Sequence, residues 1–483
     1  MNVPPPLLRS VPGGTVLPVI VLLLAGCSAE RGSEPLPPRP TAPLAVEVDS
    51  PRVAPPASPD VRLPEDPLDL PAAVDLALRG EPLLRAAWSR VLQARADEGQ
   101  ARSAFYPEID LEAGISREEQ GSSRGRSAFA ETLYRGAVRL SYPLVDFGDG
   151  RRNRLLAARR ALEARELRYN RRLQDLVLEV QRAYFAVQRR KADLAAAEET
   201  VKEARTTWEA TRRLREAGSA TVQELFQARA RFEETRFERE TEAAGLEEAR
   251  ANLAERIGVR VSAELRTVEP RAVRFDAATL ESVDRLMERA RRYRADRLAL
   301  RAEVEAARRL REAAAGDYWP RLVLGGLGEL ERLERDRSEE LADFRVGVAL
   351  QWPVFRGFAR DAEGLRRRAE AEEAEARLEQ REIAIAGEVW TRFYQVENAR
   401  RRIDAANARL EAAEKSTEFT RRTFDLGQSD LLHLLSVQRD LAEARSQVIE
   451  ANASLAVALA ELRHAVAPAE ELPVLPAAGP PRK

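Results

Sequence analysis

The sequence predicts a mainly α-helical chain with a membrane β part, built from two copies of one long-helical hairpin unit. Three observations predict this fold class. The chain contains an internal duplication, and most of it is rich in Ala, Arg, Glu and Leu with helical periodicity. Four aromatic–proline dipeptides also bracket stretches in which apolar and polar residues alternate. These dipeptides are Tyr106-Pro107, Tyr142-Pro143, Trp319-Pro320 and Trp352-Pro353.

The N-terminus is typical of a bacterial lipoprotein signal peptide over residues 1–26. Arg9 precedes an apolar stretch that is too short to span a bilayer. The stretch ends in Leu24-Ala25-Gly26-Cys27, which is similar to a lipobox, so we predict a covalent lipid on Cys27 and no other cofactor. A chance cysteine at the end of a signal peptide is the alternative. Cys27 is the only cysteine, which excludes an internal disulfide, and Ser28 after it favours delivery to the outer membrane.

Two proline-rich segments frame the folded body. Residues 27–68 form the predicted acylated tether, because proline-rich chain stays extended without a packed core. Residues 467–483 form a predicted disordered tail. Between them we place a first repeat at 69–258, an inter-repeat segment at 259–278 and a second repeat at 279–466.

The duplication supports those boundaries. The block 179–185 matches 388–394, and Gly218 matches Gly427, both at an offset of 209 residues. Each repeat is predicted to contain a helix, two strands, a long helix, a glycine turn and a return helix. The predicted first helices are 82–104 and 279–316, and the long helices are 150–217 and 359–426. The predicted strands are 106–118, 131–142, 319–329 and 344–352.

The long helices carry an apolar stripe at steps of three, four or seven residues, on a surface of interleaved Arg and Glu. Its members are Leu155, Leu162, Tyr169, Leu173, Leu176, Val180 and Val187. Each long helix would extend about 100 Å. For the helices alone, an ordinary antiparallel coiled coil remains the alternative.

Strict alternation over about ten residues predicts strands with a lipid-facing apolar face and a charged face towards water. A soluble hairpin with one buried face is the alternative. Aromatic ends, charged inner faces and the outer-membrane signal favour the membrane, with polar loops at 119–130 and 330–343 outside the cell. Four strands leave open edges, which lipid does not tolerate, so the chain must oligomerise. Two copies would give eight strands with an interior filled by side chains, and three would give twelve with room for water; the charged inner faces favour three.

Composition and motifs argue against other function classes. Lys and Arg together number 78 and Asp and Glu number 79, so nothing indicates nucleic-acid binding. His433 and His464 are the only histidines, and they lie too far apart in sequence for a metal-ligand motif. We find no glycine-rich phosphate loop and no catalytic pair. The sequence therefore predicts neither an enzyme nor a metal site.

The ordered set of features resembles the outer-membrane efflux proteins, the TolC-like outer membrane factors, in their lipoprotein branch. The resemblance covers about residues 70–467, and residues 214–225 and 424–435 are close to the family's two turn patterns. It implies a homotrimer with a 12-stranded outer-membrane β-barrel and a periplasmic α-barrel. The four aromatics of the dipeptides, Tyr106, Tyr142, Trp319 and Trp352, would mark the rim between the two barrels.

The resemblance also implies partners: a periplasmic adaptor protein, an inner-membrane pump of RND, ABC or MFS type, and outer-membrane lipid. The turns would dock the adaptor through Gly218, Ser219, Gly427, Gln428 and Ser429. A tripartite efflux channel is the function implied. The exit duct of a type I protein secretion system and a non-channel periplasmic coiled-coil scaffold are the alternatives.

The turns are also the predicted gate. We hypothesise that the tip helices close the channel at rest and open like an iris when the adaptor docks. The family often has an acidic residue six positions after the tip glycine. Glu224 fits this pattern, whereas His433 and Ser436 stand at the acidic positions of the second half. Asp425 and Asp430 are further candidates. His433 would change ion selectivity with pH, or it is an ordinary surface or packing histidine.

Overall fold

The fold is a duplicated arrangement of helices around one four-stranded sheet. A computed structural model describes residues 66–120, 129–259, 265–269, 281–334, 338–426 and 428–466. All of the described residues belong to a single compact unit. Among them, no helix combines the length and the apolar character that crossing a membrane requires. Outside the described residues lie Cys27 and the predicted signal peptide, nearly all of the tether, Gly427, the tail at 467–483 and much of the inter-repeat segment.

The two repeats contain the same six elements in the same order. The first repeat consists of α1 (Leu70–Gly80), α2 (Pro82–Ser103), β1 (Glu108–Gln120), β2 (Phe129–Asp146), α3 (Gly150–Glu216) and α4 (Val222–Ile257). The second consists of α5 (Val283–Tyr293), α6 (Ala295–Gly316), β3 (Arg321–Glu334), β4 (Ser338–Gln351), α7 (Ala359–Asp425) and α8 (Leu431–Val466). Long helical hairpins and four antiparallel strands confirm the predicted fold class.

The four strands pair in chain order as one antiparallel sheet. Leu111 lies opposite Val138, Val138 opposite Gly328, and Gly328 opposite Phe344. The next row of the ladder is polar and places Glu112, Ala137, Glu329 and Asp343 side by side on the other face. In the single chain the apolar face is exposed, with Phe344 at 77 %. The register therefore separates an apolar face from a charged face, and among the described residues β1 and β4 have no further strand beside them.

The strand limits differ from the predicted ones. β1 and β3 begin directly after Pro107 and Pro320, because proline has no N–H to donate to the ladder. β2 continues through Pro143 to Asp146, with a register shift between Pro143 and Val145 that accommodates the proline. The predicted loop at 330–343 is wrong over most of its length. There the polar residues continue the hairpin ladder, in which Arg332 lies opposite Glu340.

The first helix of each repeat also differs from its prediction. The segment predicted as one helix over 279–316 is two helices that meet at Arg294, whose ψ of 123° is extended. The first repeat has the same break at Glu81, before Pro82, and α1 precedes the predicted helix. Proline explains the first break. In the second repeat no proline stands at the break, and the break allows the Arg294 side chain to turn inward.

Two apolar clusters hold the helices together. The first cluster joins α1, α2, α3 and α4 and includes five residues of the predicted stripe: Tyr169, Leu173, Leu176, Val180 and Val187. Leu155 and Leu162, at the end of α3 nearer the sheet, are only half-buried. The second cluster joins α5, α7 and α8 around Ile385, Val389 and Val396. The clusters lie at matching places in the two repeats.

Candidate functional site

The first tip is the turn between α3 and α4, residues 217–224. Gly218 has a φ of +78°, which is the left-handed conformation that glycine adopts without strain. The backbone N–H of Ser219 donates to the carbonyl of Leu214 at 2.7 Å, and this bond caps the end of α3. Gly218 and Ser219 are both exposed. The first tip is therefore a tight reversal that presents its backbone to solvent.

A capping box begins the return helix α4. The Thr221 hydroxyl accepts from the Glu224 N–H at 3.2 Å, while the Glu224 carboxylate accepts from the Thr221 N–H at 2.6 Å. The backbone bond from Thr221, followed by the bond from its hydroxyl, lowers the pKa of Glu224. Glu224 thus stays ionised, and it stabilises its own helix in addition to any effect on passing ions.

The second tip, residues 426–433, is built differently. Asp430 caps α8, since its carboxylate accepts from the His433 N–H at 2.7 Å. The Gln428 N–H donates to the Thr423 carbonyl at 2.8 Å, which closes the end of α7. His433 is exposed and Ser429 is half-buried. The predicted docking position Gly427 lies outside the described residues.

The two tips lie beside each other. Asp430 is close enough to Glu224 to oppose the lowering of its pKa, so these two candidate gate residues face a common region. Thr207 of α3 accepts a buried hydrogen bond from Gln438 of α8 at 3.0 Å, which fixes the two hairpins together. Asp425 and Ser436 are exposed on the same end of the helices. The tips are unequal in sequence and in capping, as the gating hypothesis requires.

The aromatic–proline positions cluster where strands meet helices. Tyr106, Trp319 and Trp352 are exposed, while Tyr142 is half-buried. The Trp352 indole N–H donates to the Tyr318 carbonyl at 3.1 Å, which ties β4 to the end of α6. These aromatics form a belt at the ends of the strands, and their place at a membrane–water interface stays a prediction.

Further members of this belt were missed by the sequence reasoning. Phe355 and Phe358 are exposed and lie edge to face with ring centroids 5.5 Å apart. Phe358 also has a positive φ of 61°. Their position soon after Pro353 was the signal available in the sequence.

The charged face of the sheet contains cross-strand ion pairs. Arg135 of β2 lies 3.1 Å from Glu329 and 2.8 Å from Glu331 of β3, and Arg139 lies 3.7 Å from Glu112 of β1. These pairs are solvent-exposed and contribute little to stability. Their significance is their placement on the face opposite the apolar one, which makes that face suitable for contact with water.

A buried ionic network lies in the second repeat, where α5, α6, α7 and α8 meet. Arg294 is 1 % exposed and donates to Glu388 at 2.7 Å, to Asp296 at 2.8 Å and to the Ala465 carbonyl at 3.1 Å. Arg381 pairs with both carboxylates. Burial alone would raise the pKa of Asp296, but the hydrogen bonds from Arg294 hold it well below its usual range.

His464 extends this network towards α3. Its Nε2 lies 2.7 Å from Asp175, and Arg171 lies beside its other ring nitrogen. Burial lowers the pKa of His464, and the bond to Asp175 only partly offsets this effect. The neutral imidazole donating to Asp175 fits both contacts. Sequence reasoning set His464 aside because it had no metal-ligand spacing, and no signal in the sequence showed that it was buried.

Comparisons with known proteins agree with this arrangement. A family model described as "Outer membrane efflux protein" matches residues 73–259 and 286–467. Protein CyaE of Bordetella pertussis is 29 % identical over 389 residues, which cover 79 % of this chain and 80 % of that protein. The outer-membrane channel OprN has a similar structure, with a TM-score of 0.73 at 21 % identity over 82 % of this chain and 89 % of that one. The CmeC outer-membrane channel of Campylobacter jejuni also has a TM-score of 0.73, at 20 % identity over 82 % and 85 % of the two chains.

Proposed function

Because this chain belongs to the outer membrane efflux protein family, we propose that three copies form the outer-membrane duct of a tripartite exporter. The chain is an outer-membrane efflux channel with a periplasmic helical extension, and it is not an enzyme. Family membership excludes the non-channel scaffold alternative. The trimer, the docking sites, the gate and the lipid anchor are the proposed parts.

The observation that carries the proposal is the sheet with two faces and two open edges. Each chain supplies four strands whose apolar face is exposed, and in the part of the chain that the structure describes β1 and β4 lack outer partners. Pairing β4 of one copy with β1 of the next gives hydrogen-bond partners to the backbone N–H and C=O groups at the sheet edges, because lipid cannot supply such partners. Three copies give twelve strands around a water-filled lumen lined by the charged face.

The tips are the proposed docking and gating elements. α3 and α7 each contain 67 residues, which places the tips about 100 Å from the sheet. An adaptor protein attached to an inner-membrane pump would meet the turns at Gly218, Ser219, Gly427, Gln428 and Ser429. Adaptor docking that favours one packing of the unequal tips would open the entrance like an iris.

Candidate gate charges are Glu224, Asp425 and Asp430, with His433 and Ser436 as the divergent positions. Exposure of His433 supports both a role in ion selectivity and an ordinary surface position. Conductance of the His433→Asp variant across pH 5–8 separates them. An unchanged selectivity at every pH assigns His433 to the surface.

A lipid on Cys27 is proposed to anchor the N-terminus in the outer membrane. The support is the sequence Leu24-Ala25-Gly26-Cys27 with Ser28 after it. Intact mass of the purified protein should show a lipid-modified N-terminal cysteine, and the Cys27→Ser variant should lack it. An unmodified Cys27 inside an uncleaved chain would contradict the anchor.

Planar-bilayer recording of the purified full-length protein tests the channel and its gate together. We expect a trimer by native mass spectrometry, with low conductance that rises when the tips are perturbed. The Thr221→Ala variant perturbs the first tip, and Thr206→Ala, on the exposed shaft of the same hairpin, is the matched control. Absence of any conductance contradicts the duct, whereas a wide-open pore in the unperturbed protein contradicts only the gate.

A further inference from the structure

The two repeats meet along α3 and α8 in the long helical part of the chain. α4 packs on α3, α3 on α8, and α8 on α7, so α4 and α7 are the outermost of these four helices. Polar pairs join α3 to α8 at three levels between His464 and the tips. They are Arg182 with Glu461, Glu203 with Arg445 at 3.1 Å, and Thr207 with Gln438 at 3.0 Å. The joint between the repeats is therefore polar.

α7 and α4 are the duplicated copies of α3 and α8. The ends of α7 stand 209 residues after those of α3, and the ends of α8 stand 209 residues after those of α4. This offset assigns a counterpart to each member of the three pairs. On α7 the counterparts are Thr391, Ala412 and Ser416, and on α4 they are Asn252, Arg236 and Arg229. All six are exposed, whereas Thr207 and Gln438 are buried. The faces that the repeats cover within the chain are therefore open on its two flanks.

The open face of α7 carries a stripe of uncharged residues on a helix that is otherwise rich in Arg and Glu. The members, which we call the α7 stripe, are Thr391, Tyr394, Asn398, Ala412, Ser416 and Phe419. They are spaced by three, four or multiples of seven residues, which places them on one side of the helix. All of them are exposed, and Phe419 is 69 % exposed. An exposed phenylalanine in such a stripe is typical of a face that packs against another helix.

The order of the strands indicates which helix covers the α7 stripe. α7 follows β4, whereas α4 lies beyond α3, which follows β2 on the side of β1. The α7 stripe therefore lies on the flank at which β4 lacks an outer partner among the described strands, and α4 lies on the flank of β1. A copy that pairs its β1 with β4, as in the proposed trimer, brings its own α4 alongside α7.

We propose that the α7 stripe packs against α4 of the next copy in the register that α3 and α8 have within the chain. The proposal rests on the trimer proposed above and assigns the residues that meet in it. Ser416 then lies beside Arg229 of the next copy, as Thr207 lies beside Gln438. The guanidinium of Arg229 donates to the Ser416 hydroxyl, in the place of the Gln438 amide that donates to Thr207.

The two ion pairs of the joint within the chain have no counterpart between copies. Ala412 stands where α3 has a glutamate, so Arg236 of the next copy meets a methyl group and keeps Glu233 of its own helix, 2.8 Å away, as its ion-pair partner. Thr391 and Asn252 likewise replace a charged pair with an uncharged one. At these levels the contact between copies is therefore free of ion pairs and insensitive to salt.

Cross-linking of the purified full-length trimer with a short bifunctional thiol reagent tests the register. The Ser416→Cys/Arg229→Cys variant should yield a covalent trimer on denaturing electrophoresis. Each single variant should not, which also excludes links through Cys27. The matched control is Glu414→Cys/Arg229→Cys. Glu414 is exposed and lies two residues from Ser416, so it points about 200° away around α7 and should give at most about a tenth of the linked product.

The results that overturn this register are distinguishable from failure of the proposed duct. A trimer by native mass spectrometry in which both double variants link equally, or in which neither links, contradicts the register and leaves the proposed duct intact. A monomeric chain contradicts the trimer, and the register with it.

A new ion pair provides a second test that does not depend on cysteines. Ala412→Glu places a carboxylate beside Arg236 of the next copy, as Glu203 lies beside Arg445 within the chain. Dissociation of the trimer in detergent should slow about two- to fivefold at low salt, which is the effect of one exposed ion pair. The slowing should vanish in Ala412→Glu/Arg236→Gln and in about 1 M salt, where the Debye length is about 3 Å. An unchanged dissociation rate at low salt overturns the register.

Discussion

The junction between sheet and helices contains a contact that tolerates no side chain. Gly148 and Gly316 meet backbone to backbone where β2 leads into α3 and α6 leads into β3. A methyl group on Gly148 would lie 2.1 Å from the carbonyl oxygen of Gly316 and 2.6 Å from its Cα. All of the opposing atoms are backbone, so no rotamer change relieves the overlap. The Gly148→Ala substitution must therefore push the two segments apart.

The cost follows from the size of that displacement. Non-bonded heavy atoms prefer separations of about 3.5–4.0 Å, so the segments would have to move by more than about 1 Å. Overpacking of this kind costs about 1–3 kcal/mol, and we expect the upper end. A loss of about 3 kcal/mol lowers the folding equilibrium constant roughly a hundredfold. Trp319 and Trp352 lie close to this junction and would report its unfolding by fluorescence.

The assay is guanidinium unfolding of the purified trimer in detergent, followed by tryptophan fluorescence. Gly387→Ala is the matched control, because Gly387 lies inside α7 with no atom within 4 Å of an added methyl. The free energy of unfolding of the Gly387→Ala control should rise by about 0.5–1 kcal/mol, because alanine has a higher helix propensity than glycine. If Gly148→Ala unfolds at the wild-type midpoint while Gly387→Ala is stabilised, the close contact does not limit stability and the reasoning is refuted.

Three further predictions concern the helices. Burial lowers the pKa of His464, so its contribution to stability is complete above the unfolded-chain pKa of about 6.5 and is lost as the pH falls below it. Thermal unfolding at pH 7 and pH 5 measures this loss of stability. The His464→Gln variant should lose less stability between the two pH values than the wild type, whereas the exposed control His433→Gln should lose as much. Thr221→Ala removes the capping box and should destabilise the start of α4 by about 1 kcal/mol, as measured by amide exchange. The control Ser282→Ala, at an N-cap whose side chain makes no capping hydrogen bond, should leave the stability of α5 nearly unchanged. Arg294→Met removes a buried guanidinium that donates to the partly exposed Asp296 and Glu388 and to the Ala465 carbonyl, and it should cost about 3 kcal/mol in chemical unfolding because Arg381 still pairs with both carboxylates. A loss below about 1 kcal/mol would contradict the buried network.

Much of the helical architecture could be predicted because its signals are local. The predicted starts of the long helices coincide with Gly150 and Ala359, and the turn at Gly218 has the left-handed backbone expected of it. Helical periodicity, glycine and proline act within a few residues of themselves, so a single sequence is enough to detect them. The alternation in the strands likewise predicted which face is apolar.

The strand limits and the helix break were not predictable in the same way. β3 and β4 extend through polar residues because backbone pairing, once in register, continues past the apolar stretch. The break at Arg294 depends on Asp296, Glu388 and the Ala465 carbonyl, and the last two are distant in sequence. A guanidinium with no nearby sequence signal becomes a buried anchor only when these groups surround it.

The sequence by itself determined the duplicated helical hairpins, the glycine turn at Gly218 and the two-faced strands, since each depends on spacing along the chain. Only the tertiary structure decided which surroundings the matched positions of the two repeats have. It placed Leu84 and Trp88 of α2 in an apolar cluster, whereas Arg297 and Arg301, which stand 213 positions later in α6, line an open groove. Burial and charge pairing are properties of neighbours in space, and the same helix pair acquires different surroundings in each repeat.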